Sequence, residues 1–225
     1  MISVSLGTLK TAVRQRSNME DSEFVSDSEL TRYINQSLSE LYDLVVGSYE
    51  DYYLDTLTFT YTSDDGYALP QVDFYKLRLV EFQSGSDWLT IHRYQLPNKN
   101  RRALAMNIYG ESRQYRISGD KIVMLPLGAA TGVYRITFVP LFEALAVDAD
   151  TTSMSFAGWD EYVVVDAAIK CLQKEESDVS ILMAQKMMLK QRIESMSANR
   201  DANEPESIID VHGVSDYDDC DSRWW

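Results

Sequence analysis

Apolar residues recur every three or four positions over residues 24–46, a stretch that reads FVSDSELTRYINQSLSELYDLVV. This spacing gathers them on one side of an α-helix, so the stretch is predicted to be an amphipathic helix that packs through that side. Ser26 and Glu29 have the spacing of a capping box, and Val25 and Leu30 occupy the flanking staple positions. The predicted packing residues of this helix are Leu30, Tyr33, Ile34, Leu38 and Leu41.

Three more segments have the helical period. Leu6, Leu9 and Val13 mark a short helix near the N-terminus. Asp160 and Glu161 suit the positive end of a helix dipole and open a second segment. The predicted packing stripe of that helix is Tyr162, Val165, Ile169 and Leu172. A last helix is predicted to restart at residues 177–178, with Leu182, Leu189, Ile193 and Met196 on its packing side.

Residues 54–140 change from the helical period to alternation. In LDTLTFTYT, three apolar side chains alternate with three threonines, as in a strand that is buried on one face. Further strands are predicted over 76–82, over 88–94 and over 132–139, where Pro140 ends the run. A hairpin is predicted over 115–125 with Gly119 and Asp120 at its tip. Residues 96–109 are predicted to form a loop.

These patterns predict an α+β fold in which the N- and C-terminal helices form a bundle and an antiparallel β-sheet or small barrel is inserted between them in the chain. The predicted parts are a helical bundle from 1–53 and 156–200, a β module over 54–140 and a connection over 141–155. An aromatic cluster, Tyr49, Tyr52 and Tyr53, stands where the bundle gives way to the β module. An acidic C-terminal tail covers 201–225.

The net charge of −14 argues against a protein that reads DNA sequence, because affinity for the phosphate backbone comes from Lys and Arg. Residues 201–225 hold eight Asp and Glu against one Arg, so they carry half of the net charge. A run of this kind is most often a solvated segment. No stretch has the ~20 apolar residues of a membrane span, and the N-terminus does not resemble a signal peptide. We therefore expect a soluble protein.

Residues for catalysis are scarce. With only two histidines, the chain has no His-based triad and no three-His metal site, and it lacks a Gly-rich phosphate loop. Cys171 and Cys220 form no ligand cluster, and a disulfide between them is not expected. Asp218, Asp219 and Asp221 are the densest carboxylates, but a flexible tail does not pre-organise a metal site. The sequence predicts no enzyme activity and no cofactor.

Five quoted stretches together resemble the head-to-tail connector (adaptor) proteins of tailed bacteriophages. They read SDSELTRYINQSLSELYDLV, YALPQVDFYKLRLVEF, YRISGDKIVMLP, GVYRITFVP and GWDEYVVVDAAIKCLQKEESD. The likeness is to the tail-tubular or gatekeeper form, which carries a β module between its helices, and it covers roughly residues 3–198. It rests on helix caps and apolar positions rather than on a catalytic signature.

The resemblance implies a structural virion protein of the neck region, assembled in the host cytoplasm. About twelve copies would form a ring below the portal that extends the DNA exit channel and receives a downstream tail or nozzle protein. The candidate portal-docking residues in the tail are Ile208, Ile209, Val211, Trp224 and Trp225. Lys99, Arg101 and Arg102 form a basic loop that is a candidate contact to channel DNA or to an acidic neighbour.

Two other classes remain open from the residues alone. An acidic binding module or assembly chaperone would act off the particle and hold a basic partner. A carboxylate metal nuclease is the third class, and it has the least support because no carboxylate cluster falls on a predicted helix or strand. Apart from the resemblance, the residues describe only an acidic α+β protein.

Overall fold

A computed structural model describes residues 4–20, 24–62, 66–69, 74–96, 113–125, 130–152 and 158–199. These residues contain four helices: α1 (Leu6–Arg16), α2 (Asp27–Ser48), α3 (Asp160–Lys174) and α4 (Ser180–Ala198). They also contain eight strands: β1 (Asp55–Tyr61), β2 (Tyr67–Ala68), β3 (Lys76–Ser84), β4 (Asp87–Thr90), β5 (His92–Arg93), β6 (Gln114–Ser118), β7 (Lys121–Leu125) and β8 (Gly132–Val139). The predicted α+β class is confirmed.

The start of α2 follows its sequence signal. The Ser26 side chain accepts a hydrogen bond from the Glu29 amide at 3.3 Å, which satisfies one amide that the first turn leaves without a partner. Val25 and Leu30, on either side of this cap, are both buried. The other half of the predicted capping box is not formed, because the Glu29 carboxylate accepts from Tyr33 and from Lys174 instead, which ties the start of α2 to the end of α3.

Helix α3 lies at the centre of the helical part and contacts α1, α2 and α4. The sequence predicted one packing stripe on α3, and that prediction was too narrow. Tyr162, Val165 and Ile169 are buried and Leu172 is half-buried, as the stripe required. However, Val163, Val164, Ala167 and Ala168 between them are buried as well. A helix surrounded by three others needs apolar residues on every side, which one stripe does not provide.

Helix α4 lies at the edge of the helical part. Its inward face contains Leu182, Leu189 and Ile193, as predicted. The prediction for Met196 was wrong, because this side chain is 51% exposed and Ser197 takes the buried position of that turn. Leu189, Ile193 and Ser197 follow each other at steps of four residues, which keeps them on one row, and Met196 falls beside that row.

The strands form two four-stranded sheets, in the orders β1-β8-β3-β4 and β2-β7-β6-β5. The predicted hairpin of β6 and β7 is confirmed, with Gly119 at a positive φ of 62° in its turn. In the first sheet Tyr134, Ile136 and Phe138 of β8 face Phe59 of β1 and Val80 of β3 in one apolar core. Gly132 is required here, because a Cβ would lie 2.6 Å from the Phe82 ring.

The single strand predicted over 88–94 is wrong. The chain leaves the first sheet after Thr90 and enters the second at His92, with the buried Ile91 between them. The Ile91 amide still donates to the Val80 carbonyl of β3 at 2.9 Å, so the chain passes to the second sheet only after Ile91. In the second sheet β5 pairs with β6 in parallel, whereas the sequence predicted antiparallel pairing throughout. The alternation of apolar residues does not reveal a change of sheet.

Candidate functional site

A buried ionic network joins three helices of the chain. Asp166 of α3 is 3% exposed and accepts hydrogen bonds from Ser37 of α2 at 2.6 Å and from Lys186 of α4 at 2.6 Å. Lys170, one turn further along α3, lies 2.7 Å from the same carboxylate. Glu40 of α2 completes the network through Lys186 at 2.9 Å. Every polar group of this network therefore has a partner of opposite charge or a hydrogen bond.

The network keeps its charges in spite of burial. Burial opposes ionisation of Asp166, but the hydrogen bonds from Lys170, Lys186 and Ser37 outweigh it and lower the pKa of the carboxyl group. Burial likewise disfavours the Lys186 ammonium, and its bonds to Asp166 and Glu40 outweigh that effect and raise its pKa. Asp166 thus remains ionised at neutral pH, with Lys186 protonated beside it.

The contact of Lys170 with the Ser37 hydroxyl, at 3.1 Å, has the residue types of a serine–lysine nucleophile. A lysine that serves as a base must be neutral, and Lys170 is instead paired with the Asp166 carboxylate. Ser37 is 0% exposed, so no substrate reaches its oxygen. This arrangement is therefore structural: it fixes the positions of α2, α3 and α4 relative to one another.

Aromatic side chains fill the junction between the helices and the first sheet. The Tyr42 ring of α2 lies 5.4 Å from Tyr53, 5.9 Å from Tyr75 and 6.1 Å from Phe142. Its hydroxyl donates to the Pro140 carbonyl at 2.5 Å, just after β8 ends. Burial raises the pKa of Tyr42, which keeps the hydroxyl a donor. Two of the predicted aromatic cluster, Tyr52 and Tyr53, pack against the helical core here.

Ion pairs add to the junction on its outer side. Glu50, just past the end of α2, binds Lys76 and Arg78 of β3, and Asp51 binds Arg78 at 2.7 Å. Tyr75 donates to Asp43 at 3.1 Å. The hydrogen bond from Lys76 and the charge of Arg78 lower the pKa of Glu50, so the cluster is charged at neutral pH. These ion pairs and the aromatic packing fix the position of β3 beside α2.

The open face of the first sheet is partly apolar. Arg135 of β8 stacks over Trp88 at 4.4 Å while its Nε donates to Glu81 at 2.8 Å. Leu79 lies on this face and is 36% exposed, whereas Leu89, which is 53% exposed, pairs with Phe82 and so lies on the other face. Leu79 is turned outward by an irregularity of register between Leu77 and Leu79, which places Val80 and Phe82 on the inner face.

Several residues singled out from the sequence lie outside the described residues. These are the basic-loop residues Lys99, Arg101 and Arg102, and the tail residues Ile208, Ile209, Val211, Trp224 and Trp225. The packing residues Leu30, Ile34, Leu38 and Leu41 are buried in the helical core, and Tyr33 is half-buried against it.

The ionic network and the exposed apolar face of α4 were missed from the sequence. Asp166 did leave a signal, as the one charged residue of the run VVVDAAI, four positions before Lys170. A charge inside an apolar helical run implies a buried partner. The stretch SILMA followed by MML is the corresponding signal for α4, since it is apolar on more than one side.

Within the described ranges, His, Cys, Asp and Glu side chains do not gather into a group of three that could hold a metal ion. Among the helices of the same ranges, none combines the length and the apolar content needed to cross a membrane. Cys171 is buried in α3 as a free thiol, and burial raises its pKa to about 11. Compared with known proteins, the chain matches no family and no curated protein.

Proposed function

We propose that this protein is a head-to-tail connector of a tailed bacteriophage. About twelve copies form a ring below the portal in the neck of the virion. The ring extends the DNA exit channel and presents a platform for a downstream tail or nozzle protein. In this role the protein is structural and needs neither enzymatic activity nor a cofactor.

The observation that carries the proposal is that the helices before and after the β strands pack together. The helices before β1 and after β8 share one core. The first and last strands, β1 and β8, pair with each other where the chain leaves this core and returns to it. This is the layout that the connector resemblance implies. The junction of Tyr42, Tyr75, Glu50, Lys76 and Arg78 holds β3 beside α2, as a part that carries load between head and tail requires.

The use of the polar groups also favours a structural role. The best-placed candidates for chemistry, Ser37, Asp166 and Lys170, are bound to one another, and Ser37 and Asp166 are buried. Two solvent-accessible groups with a lowered pKa, Glu50 and Asp27, are partners in ion pairs between elements. Such shifts accompany cross-links as well as catalysis.

Charge suits a channel through which DNA passes without binding. A ring of about twelve chains at −14 each carries roughly −170 charges before counterions, a field that repels the phosphate backbone. We therefore propose an acidic or neutral lumen. Tight, salt-sensitive binding of duplex DNA by the purified protein would contradict this part of the proposal.

The decisive experiment uses phage particles made with and without this protein. Particles that lack it should package DNA but fail to retain it or to attach tails, and adding back the purified protein should restore both. Electron micrographs of the protein mixed with its portal should show an added ring. Complete and infectious particles without the protein would overturn the proposal.

The same particles separate the chaperone alternative. A connector is present in purified mature virions in about the same copy number as the portal, whereas an assembly chaperone that acts off the particle is absent from them. Quantitative mass spectrometry of virion proteins measures this ratio directly.

A further inference from the structure

The outward face of α4 carries large apolar side chains that the chain itself leaves in solvent. Ile181, Met183, Met187 and Met188 are 81%, 48%, 65% and 72% exposed. Ala184, also exposed, lies among them. Their spacing of three, four and seven residues places them side by side on the helix surface. We call this surface the methionine face.

The methionine face is opposite the face that α4 buries. Leu182, Leu189 and Ile193 pack inward against the helical core, so the first half of α4 is apolar on both sides. Helices of this kind are stable where both sides are covered. A contiguous apolar patch of several hundred Å² is at the upper end of what a monomer exposes, and methionine is common where a surface adapts to a protein partner.

We propose that a second copy of this chain covers the methionine face, with the two α4 helices antiparallel about a two-fold axis at Ala184. In that arrangement each residue faces the one that is equally far from Ala184 on the other helix. Ile181 therefore packs against the second copy's Met187. The small Ala184 side chain on the axis lets the two helices approach closely.

Charge on both sides of the methionine face fits this pairing. Lys190 and Arg192 lie six and eight residues after Ala184, and Asp178 and Glu176 lie six and eight residues before it. An antiparallel pair therefore places Lys190 and Arg192 of each α4 beside the acidic turn that precedes the other α4. Lys190 is only 3.9 Å from Glu194 within its own helix, a loose pair that leaves its side chain 53% exposed. A parallel pair would set like charges together.

The contact is isologous, so it closes after two copies and is separate from the head-to-tail contact of a ring. The inference therefore does not depend on the connector proposal. An interface built on one helix lies at the low end of specific interface sizes, and we expect a dimer that dissociates on dilution through the micromolar range. Analytical ultracentrifugation over that concentration range measures it.

The test of the axis is a single cysteine at its centre. Full-length Ala184→Cys, in a Cys220→Ser background, should form a disulfide-linked dimer under mild oxidation, because the two positions meet on the axis. Ser195→Cys is the matched control: it is exposed on the same helix but, eleven residues from the axis, lies about 33 Å from its counterpart. Cross-linking of Ala184→Cys alone supports the proposal.

Other patterns overturn it. If neither variant cross-links, the methionine face is covered by a different partner or by none. If both variants cross-link, the contact is parallel or unspecific. In a head-to-tail contact residue 184 does not meet its own counterpart, so a ring that forms without this cross-link also refutes the two-fold pair while leaving the connector proposal intact.

Charge reversal gives a second, independent test. Arg192→Glu and Glu176→Arg should each weaken the dimer several-fold, and the double variant should restore it, because the pair is then reversed in both halves. Met188→Glu should weaken the dimer at least tenfold while the far-UV circular dichroism stays unchanged. Loss without rescue in the double variant would argue against the proposed register.

Discussion

Helices α3 and α4 follow each other in the chain and are both apolar on more than one side, yet they occupy opposite situations. Nine of the 15 residues of α3 are buried, against two of the 19 residues of α4. Among the helices of the described residues, α3 contacts the other three, whereas α4 comes last and lies at the edge. The comparison teaches that apolar residues all around a helix show that it will be covered, without showing that its own chain provides the cover.

The largest effect is expected where a charge enters α3. Val163 is 0% exposed, so Val163→Asp buries a carboxylate without a partner and should lower the free energy of unfolding by more than about 4 kcal/mol. Met187→Asp, the matched change on α4, should change the unfolding free energy of the monomer by less than about 0.5 kcal/mol, because the side chain is 65% exposed in the single chain. Urea denaturation followed by circular dichroism measures both. Equal effects would mean that α4 is not an outer helix in solution.

Removal of Asp166 should have the next largest effect, because it leaves two lysines without their buried partner. Asp166→Ala should cost about 3–5 kcal/mol of unfolding free energy. Lys186→Met tests the contribution of α4 separately. It removes the ion pair between α4 and Asp166 but leaves Asp166 paired with Lys170. This second variant should cost less. A larger loss for Lys186→Met would show that α4 contributes more to the core than its burial suggests.

The ion pairs of Asp166 should also make the stability of the protein depend on pH. Its pKa in the folded protein is lowered, so below the usual value of about 3.9 the unfolded chain takes up the proton first. The stabilisation is therefore present above that value and is lost as the pH falls through the folded pKa. The stability difference between the natural protein and Asp166→Asn should be largest at neutral pH and shrink in acid. A difference that is constant with pH would contradict the ionised pair.

A moderate effect is expected on the inward face of α4. Leu189 is half-buried against the helical core, and Leu189→Ala should cost about 1–2 kcal/mol, below the range for a fully buried leucine. Met188→Ala, its neighbour on the outward side, is the control and should change the unfolding free energy of the monomer by less than about 0.5 kcal/mol. Chemical denaturation at a concentration well below that of dimer formation separates the two.

The smallest effect on stability is expected for a cysteine placed on the outer side of α4, although its rate of reaction with a thiol reagent should differ greatly from that of Cys171. Cys171 is 2% exposed and has a raised pKa, so it should react with a thiol reagent only as the protein unfolds. In a Cys220→Ser background, Met188→Cys should introduce one thiol that reacts at once and leave stability nearly unchanged. Rapid labelling of Cys171 in the folded protein would show that α3 opens more easily than its packing implies.

Local signals were sufficient for much of this fold. The cap at Ser26, the alternation in β1 and the turn at Gly119 act over a few residues, so they can be read without knowledge of the rest of the chain. The buried positions Leu30, Ile34 and Leu38 followed from period alone. Element type is therefore well predicted wherever the pattern is long and its punctuation is clear.

What the sequence did not reveal depends on neighbours that are distant in the chain. The passage from β4 to β5 at Ile91 is fixed by pairing with β3 and β6, which lie on either side of it in sequence. The outward position of Leu79 comes from an irregular register against β8. Two of the three partners of Asp166, Ser37 and Lys186, come from α2 and α4, more than a dozen residues away on either side. None of these contacts has a local period.

The pairing of Asp55 with Phe138 has a consequence for how this chain could be rebuilt. The two residues face each other across one ladder of hydrogen bonds, so the chain enters and leaves the β strands at almost the same place in space, about 5 Å apart. The strands that the structure describes between these two residues, β2 to β7, therefore start from and return to one point beside the helical core. A two-residue turn would bridge the gap without stretching the backbone, and β strands from a related chain could be grafted onto the same pair of ends. The grafted strands would have to keep Tyr75, Lys76 and Arg78, because these residues bind Asp43, Glu50 and Asp51 on the helical side.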